Sequence, residues 1–364
     1  MPSPATDAPQ PEPKLYLYEP SHALPAVFAA LVGVSLVLHI WQNSRYRYWR
    51  VTFWMFYGSA IFTTGWILRV VSSYHPTNLN LYIAQTVFIY AGPPIFSAAE
   101  YNILGRLLYY LPMHAPFNPG RTVLFFIYLG AAVEGLTGAG AALYGTARGI
   151  DDVDILIRGG LLISVSLALQ AAIECVFLGM VGLLHYRCVK ARTLPPNVRT
   201  LCIMLYGTST LVLLRCIARA IESFSTATAT SCNSVCRVVL FQQWYLYVFE
   251  AAPMVLYTYW INLIHPGRLL PRDKSHYLDP DGVTERIGPQ WVDKRSRWEK
   301  MLDPLDVGGA VKGEARRQRF WLQPQDWPVA PAGGFAQGTA TNMKSGQAGS
   351  SEKSGSLFSR LTGP

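Results

Sequence analysis

The chain has 364 residues, 51% of them hydrophobic and only 15% charged, where an average soluble domain carries about 25% charged residues. The deficit is concentrated before residue 266, where apolar blocks recur at about the ~20-residue length that crosses roughly 30 Å of hydrocarbon, so a large soluble domain is excluded there. The net charge of +9 does not indicate a nucleic-acid partner, because the basic residues sit between and after the apolar blocks, where membrane topology explains them better.

Residues 1–23 are polar and Pro-rich and contain no cleavable signal pattern, so the first apolar block is expected to act as a retained anchor. Seven crossings are predicted, at about 24–42, 51–71, 81–109, 122–146, 156–185, 198–222 and 240–264. The predicted fold is therefore an all-α integral membrane protein, a seven-transmembrane-helix bundle filling 24–265. Pro93-Pro94 in the third block and Pro253 in the seventh should kink or locally open their helices, since proline removes a backbone donor. The small residues of the fourth block, GAAVEGLTGAGAALYG, should allow close helix approach.

Arg45, Arg47, Arg50, Arg121, Arg187, Lys190, Arg192 and Arg199 fall in loops on one side of this scheme, which puts the N-terminus outside and the C-terminus in the cytoplasm. Beyond His265-Pro266-Gly267, residues 266–328 form a charged tail in which simple solvation is expected, and 329–364 read as a disordered Gly/Ser-rich tail. Cys232 and Cys236 fall in the last outer loop, either bridged or as two free thiols.

The stretch Leu211–Glu222 sets the functional problem. Its spacings of four and three put Arg215, Arg219 and Glu222 on one helix face. Such charges cost roughly 2.5–3.5 kcal/mol each at the bilayer centre, so they should face protein or a wet cavity. By depth, Arg69, Arg215, Arg219 and Glu222 belong to the outer third, Glu134, Glu174 and Glu250 lie nearer the middle, and Glu100 and Arg106 lie toward the cytoplasm. Glu250 and Glu222 are the natural partners of the two arginines. Pairs of this kind can simply fix helix register. Alternatively they line a polar groove whose acids, Glu250 and Glu174 foremost, receive the head of a cationic amphiphile while its tails stay in lipid. No phosphate-binding loop, metal-ligand spacing or nucleophile constellation appears, so no cofactor, metal or enzyme activity is expected, and the partners are membrane lipids or amphiphilic small molecules.

From Tyr18 to Leu270 the chain resembles the fungal lipid-translocating exporter family, which includes the aminocholesterol-resistance proteins and sphingoid long-chain-base exporters. The matching pieces are Tyr18-Glu19-Pro20-Ser21, His39 with Gln42, Gly65-Trp66-Ile67-Leu68-Arg69, and Pro94 followed by Ala98-Ala99, Tyr101 and Leu104-Gly105-Arg106. They continue with Gln170, then Arg215, Arg219 and Glu222, then Tyr247-Val248-Phe249-Glu250 and His265-Pro266-Gly267. Departures are Thr63 or Thr64 in place of an acid, Gly130, Glu134 and Thr137 in place of an Asp and a Gln, and Gln242-Gln243 in place of a Glu. The resemblance implies export or translocation of amphiphiles such as sphingoid long-chain bases, tolerance of toxic amphiphiles and a plasma-membrane location. It adds Gln170 to a candidate translocation set of Arg69, Glu134, Glu174, Arg215, Arg219, Glu222 and Glu250. The rival reading is a seven-helix receptor or sensor.

Overall fold

The structure, a computed structural model, describes residues 16, 18–146, 153–228, 237–238, 241–289, 295–303 and 320–330. Six long helices come first: α1 (Ala23–Tyr46), α2 (Trp49–Tyr74), α3 (Leu79–Tyr110), α4 (Pro119–Thr146), α5 (Val153–Lys190) and α6 (Pro196–Thr228). The seventh rod, α7, is composite: a turn at Trp244–Leu246, a π-helical stretch at Tyr247–Ala251 and an α-helix at Ala252–Leu263. After it come an antiparallel pair, β1 (His276–Leu278) and β2 (Glu285–Ile287), and a short α8 (Arg297–Leu302).

Each long helix packs on the next, and α1 also meets α7, so the seven rods close on themselves around α3, which reaches α5 and α6 as well. Among the described residues five helices, α1, α2, α4, α5 and α6, are long and apolar enough to cross a membrane, and α3 and α7 are not among them. The shortfall in α3 has a physical reason. It is enclosed by neighbours and carries Gln85, Glu100, Arg106 and two prolines, a composition that lipid-facing helices do not tolerate.

The burial pattern is that of a multi-pass membrane protein, with apolar side chains outside and polar ones within. On α1, Val27, Val34, Val37 and Trp41 are exposed while Ser35, His39, Gln42 and Asn43 are buried. Water would reject such a face; acyl chains accept it. The buried polar groups stitch α1 to α2 and α7. Thr52 Oγ1 donates to Asn43 Oδ1 at 2.7 Å, Gln42 Nε2 donates to the Asn262 carbonyl at 2.8 Å, and Asn262 Nδ2 donates to Ser35 Oγ at 2.7 Å.

The prolines act differently from one another. Pro93 and Pro94 lie inside an uninterrupted α3, whereas Pro253 follows the π-helical stretch of α7. With no N–H on Pro253 the ladder widens, and the Ala252 N–H bonds to Tyr247 O five residues back. Glu250 lies within this widened stretch and is fully buried.

Close helix approach is likewise specific. A Cβ at Gly140 would lie 2.8 Å from the Gly159 carbonyl, so this glycine brings α4 onto α5. Gly130, Gly135 and Gly138 have nothing within 4 Å of such a Cβ, so most of the small-residue run does not serve packing within the chain.

The described segments before α1 and after α7 fold back on the bundle. At one end Tyr16 OH meets Ser72 Oγ at 2.8 Å and accepts from Gln85 Nε2 at 2.7 Å. At the opposite end the segment after α7 is not merely solvated. Arg106 Nη2 donates to the carbonyls of Pro271 and Arg272, each at 2.6 Å, and Tyr110 OH donates to Glu285 Oε1 at 2.7 Å. Tyr277 and Leu278 of β1 are buried there. Cys232 and Cys236 lie outside the described residues.

Candidate functional site

Two turns of α6 carry Arg215 and Arg219 into the bundle, and the widened turn of α7 presents Glu250 to both. Arg215 Nε and Nη2 each lie 2.9 Å from Glu250 Oε1, and Arg219 Nε lies 3.4 Å from Oε2. Arg219 also bonds Glu222 one turn on and covers the Tyr90 ring at 4.5 Å. Arg215 is 1% exposed and Glu250 0%, so this pair is wholly withdrawn from solvent and lipid. The arginines thus have the acids the sequence nominated, and neither points at acyl chains.

Arg69 is separate. It is buried near the N-terminal segment, donates to Tyr18 OH at 2.8 Å and lies 5.7 Å from the Tyr16 ring, and its partners among the described residues are tyrosines rather than an acid. The Tyr18-Glu19-Pro20-Ser21 stretch therefore serves this end of the bundle as a cover, with the Ser21 N–H donating to Gln243 Oε1 at 3.1 Å.

Glu174 accepts from Ser209 Oγ at 2.7 Å and Tyr101 OH at 3.2 Å. Together with the Arg215 pairing of Glu250, this gives both acids nominated for a lipid head protein partners on other helices. Glu100, which depth alone assigned toward the other face, lies in electrostatic range of Glu174; it is fully buried, and neither of its oxygens has a hydrogen-bond partner.

The unspent valence lies between α3, α4, α5 and α6. A narrow cleft there, about 270 Å³ counted with its open mouth, is lined by Tyr90, Pro94, Thr137, Gln170, Arg215 and Arg219 among others. Arg215 Nη1 and Gln170 Nε2 are buried without acceptors, and Glu134, in electrostatic range of Arg215, has a buried Oε1 without a donor. Three of the residues nominated from sequence thus meet around Arg215 with bonding capacity to spare. No cluster of three potential metal-ligating side chains occurs among the described residues.

At the far end of α7, His265 is buried near His39 and its Nδ1 accepts from the Gly267 N–H at 3.1 Å. Burial, then His39 and Arg268, push its pKa down to about 3. In the loop between α3 and α4, His114 bonds Thr193 Oγ1 at 2.6 Å, and burial and Arg187 lower its pKa.

Residues 55–273 match the model of the RTA1-like protein family. A relative from Leptosphaeria maculans named lipid-translocating exporter-like protein RTA1 is 36% identical over 333 residues, covering 88% of this chain; the chain spans 63% of that relative's length. A protein of the same name from Ajellomyces capsulatus is 30% identical, covering 67% of this chain and 77% of its own. The probable lipid transporter atnI of Emericella nidulans is 25% identical, covering 72% and 70%. No solved structure matches the chain. The chain belongs to the RTA1-like family.

Proposed function

We propose that this member of the RTA1-like family translocates amphiphilic lipids, passing the polar head along the charged interior while the tails remain in the bilayer. The observation that carries the reading is the open valence beside the Arg215–Glu250 pair: a structural ion pair alone needs no free acid next to it, yet Glu134 Oε1 has no donor. Charge pairing points to the kind of head. Arg215 and Arg219 are matched by Glu250 and Glu222, which leaves Glu134 as an acid of the cluster with an open oxygen, an acceptor that suits an amine donor. Sphingoid long-chain bases carry such a head, and their export would underlie tolerance of toxic amphiphiles. The names of the relatives support a lipid substrate.

The same reading takes α3 and α7 as crossings alongside the five apolar helices, giving seven spans with the N-terminus outside and the docked C-terminal segment cytoplasmic. Burial of α3 by its neighbours and the arginines at the C-terminal end favour this topology. A plasma-membrane location follows for an exporter.

Purified protein in liposomes tests the proposal. A fluorescent sphingoid base should redistribute between leaflets faster than in protein-free vesicles, and Glu134→Gln should slow it by ~10-fold or more with an unchanged melting temperature. Wild-type protein that moves no lipid above the protein-free rate, yet recruits a partner on ligand addition, would turn the assignment to a sensor.

A further inference from the structure

We infer that the cleft between α3, α4, α5 and α6 is a hydroxyl-recognition subsite, in which Arg215 and Gln170 select lipids whose head carries a hydroxyl close to its amine. The inference rests on the translocation reading above and specifies what the site discriminates.

Three observations carry it. First, the unused donors belong to side chains almost wholly withdrawn from the surface: Arg215 is 1% exposed and Gln170 3%, and both line the cleft. A buried donor with no acceptor is costly, so the pair favours an oxygen placed between them. Second, the space is small. In this conformation the cleft has room for a group about the size of one water molecule, which a hydroxyl matches and a phosphate exceeds. Third, the main-chain ladder of α3 lacks one donor at this wall of the cleft. Pro94 has no N–H to offer the Tyr90 carbonyl four residues back, and both residues line the cleft.

Thr137 does not compete for this role, since its Oγ1 already meets Ser166 Oγ at 2.6 Å. Nor is Arg215 free to swing away, because its Nε and Nη2 are held by Glu250 and only Nη1 remains. The subsite is thus preorganised, with the guanidinium fixed by one carboxylate and its last edge turned to the cleft. Sites built to hydrogen-bond a hydroxyl reject analogues that lack it, because their own polar groups are then left unpaired.

The test compares two fluorescent probes of equal chain length in reconstituted liposomes: a 2-amino-1,3-diol lipid and a primary alkylamine without hydroxyls. Wild type should move the amino-diol at least ~10-fold faster. Gln170→Met, which keeps the side-chain volume but removes the donor, should bring the ratio to within about twofold. Gln170→Glu, which substitutes acceptors, should do the same, and melting temperatures certify that both variants fold. A ratio preserved in either folded variant overturns the subsite. So does wild type that moves both probes equally above the protein-free rate, an outcome that leaves translocation standing. Movement of neither probe overturns both.

Discussion

Arg215 and Glu250 face each other across α6 and α7 at 2.9 Å, through two guanidinium nitrogens on one carboxylate oxygen, with neither side chain more than 1% exposed. The pair joins residues 35 apart in the chain, and Glu250 reaches it from a π-helical stretch that Pro253 obliges α7 to adopt. A buried pair of this kind is weak evidence for net stability, but removing one partner strands the other.

Glu250→Ala should therefore cost about 3–5 kcal/mol, the usual penalty for an uncompensated buried charge. The double variant Arg215→Met, Glu250→Leu should recover most of that loss, because both charges leave together. Thermal melting in detergent measures both. A single variant as stable as wild type would contradict the pairing.

Arg106→Ala should release the segment after α7. Its Nη2 holds the Pro271 and Arg272 carbonyls at 2.6 Å, and hydrogen bonds to charged groups are worth ~1.5–3 kcal/mol each. Trypsin should then cut at Lys274 and Arg286 several-fold faster, while the membrane helices stay intact. Equal cleavage rates would show that β1 and β2 hold the segment unaided.

Gly65→Ala should destabilise the α2–α3 contact by about 1–3 kcal/mol, in the range of overpacked cores. The added methyl would stand 2.8 Å from the Ile89 backbone nitrogen, which no rotamer change can relieve. Gly138→Ala, with nothing within 4 Å, serves as the neutral control in the same melting assay.

Stability should fall on acidification through His265. Its folded pKa of about 3 lies below the ordinary 6.5, so the neutral form is favoured by folding. The contribution is complete above pH 6.5 and is lost as pH falls toward 3, at up to about 1.4 kcal/mol per pH unit for one proton. His265→Gln should flatten the melting profile between pH 6.5 and 5 relative to wild type. An unchanged slope would place the acid sensitivity elsewhere.

Composition and block length alone specified a helical membrane protein, because ~20 apolar residues have few other uses, and the spacing in Leu211–Glu222 specified that one face of α6 must be met by acids. The pairing of Arg215 with Glu250 was legible for the same reason: a buried arginine needs an acid, and few carboxylates occur in the apolar blocks. The sequence could not assign which acids remain free, since that depends on neighbours brought together from distant segments. Glu174 is engaged by Tyr101 and Ser209 and Glu250 by the arginines, while Glu134 and Glu100 keep open oxygens. Nor could a charged tail announce its docking on Arg106, because those bonds run to main-chain carbonyls, which every residue possesses. Local chemistry decides that a buried charge needs an answer; only the packing of seven rods decides which group gives it.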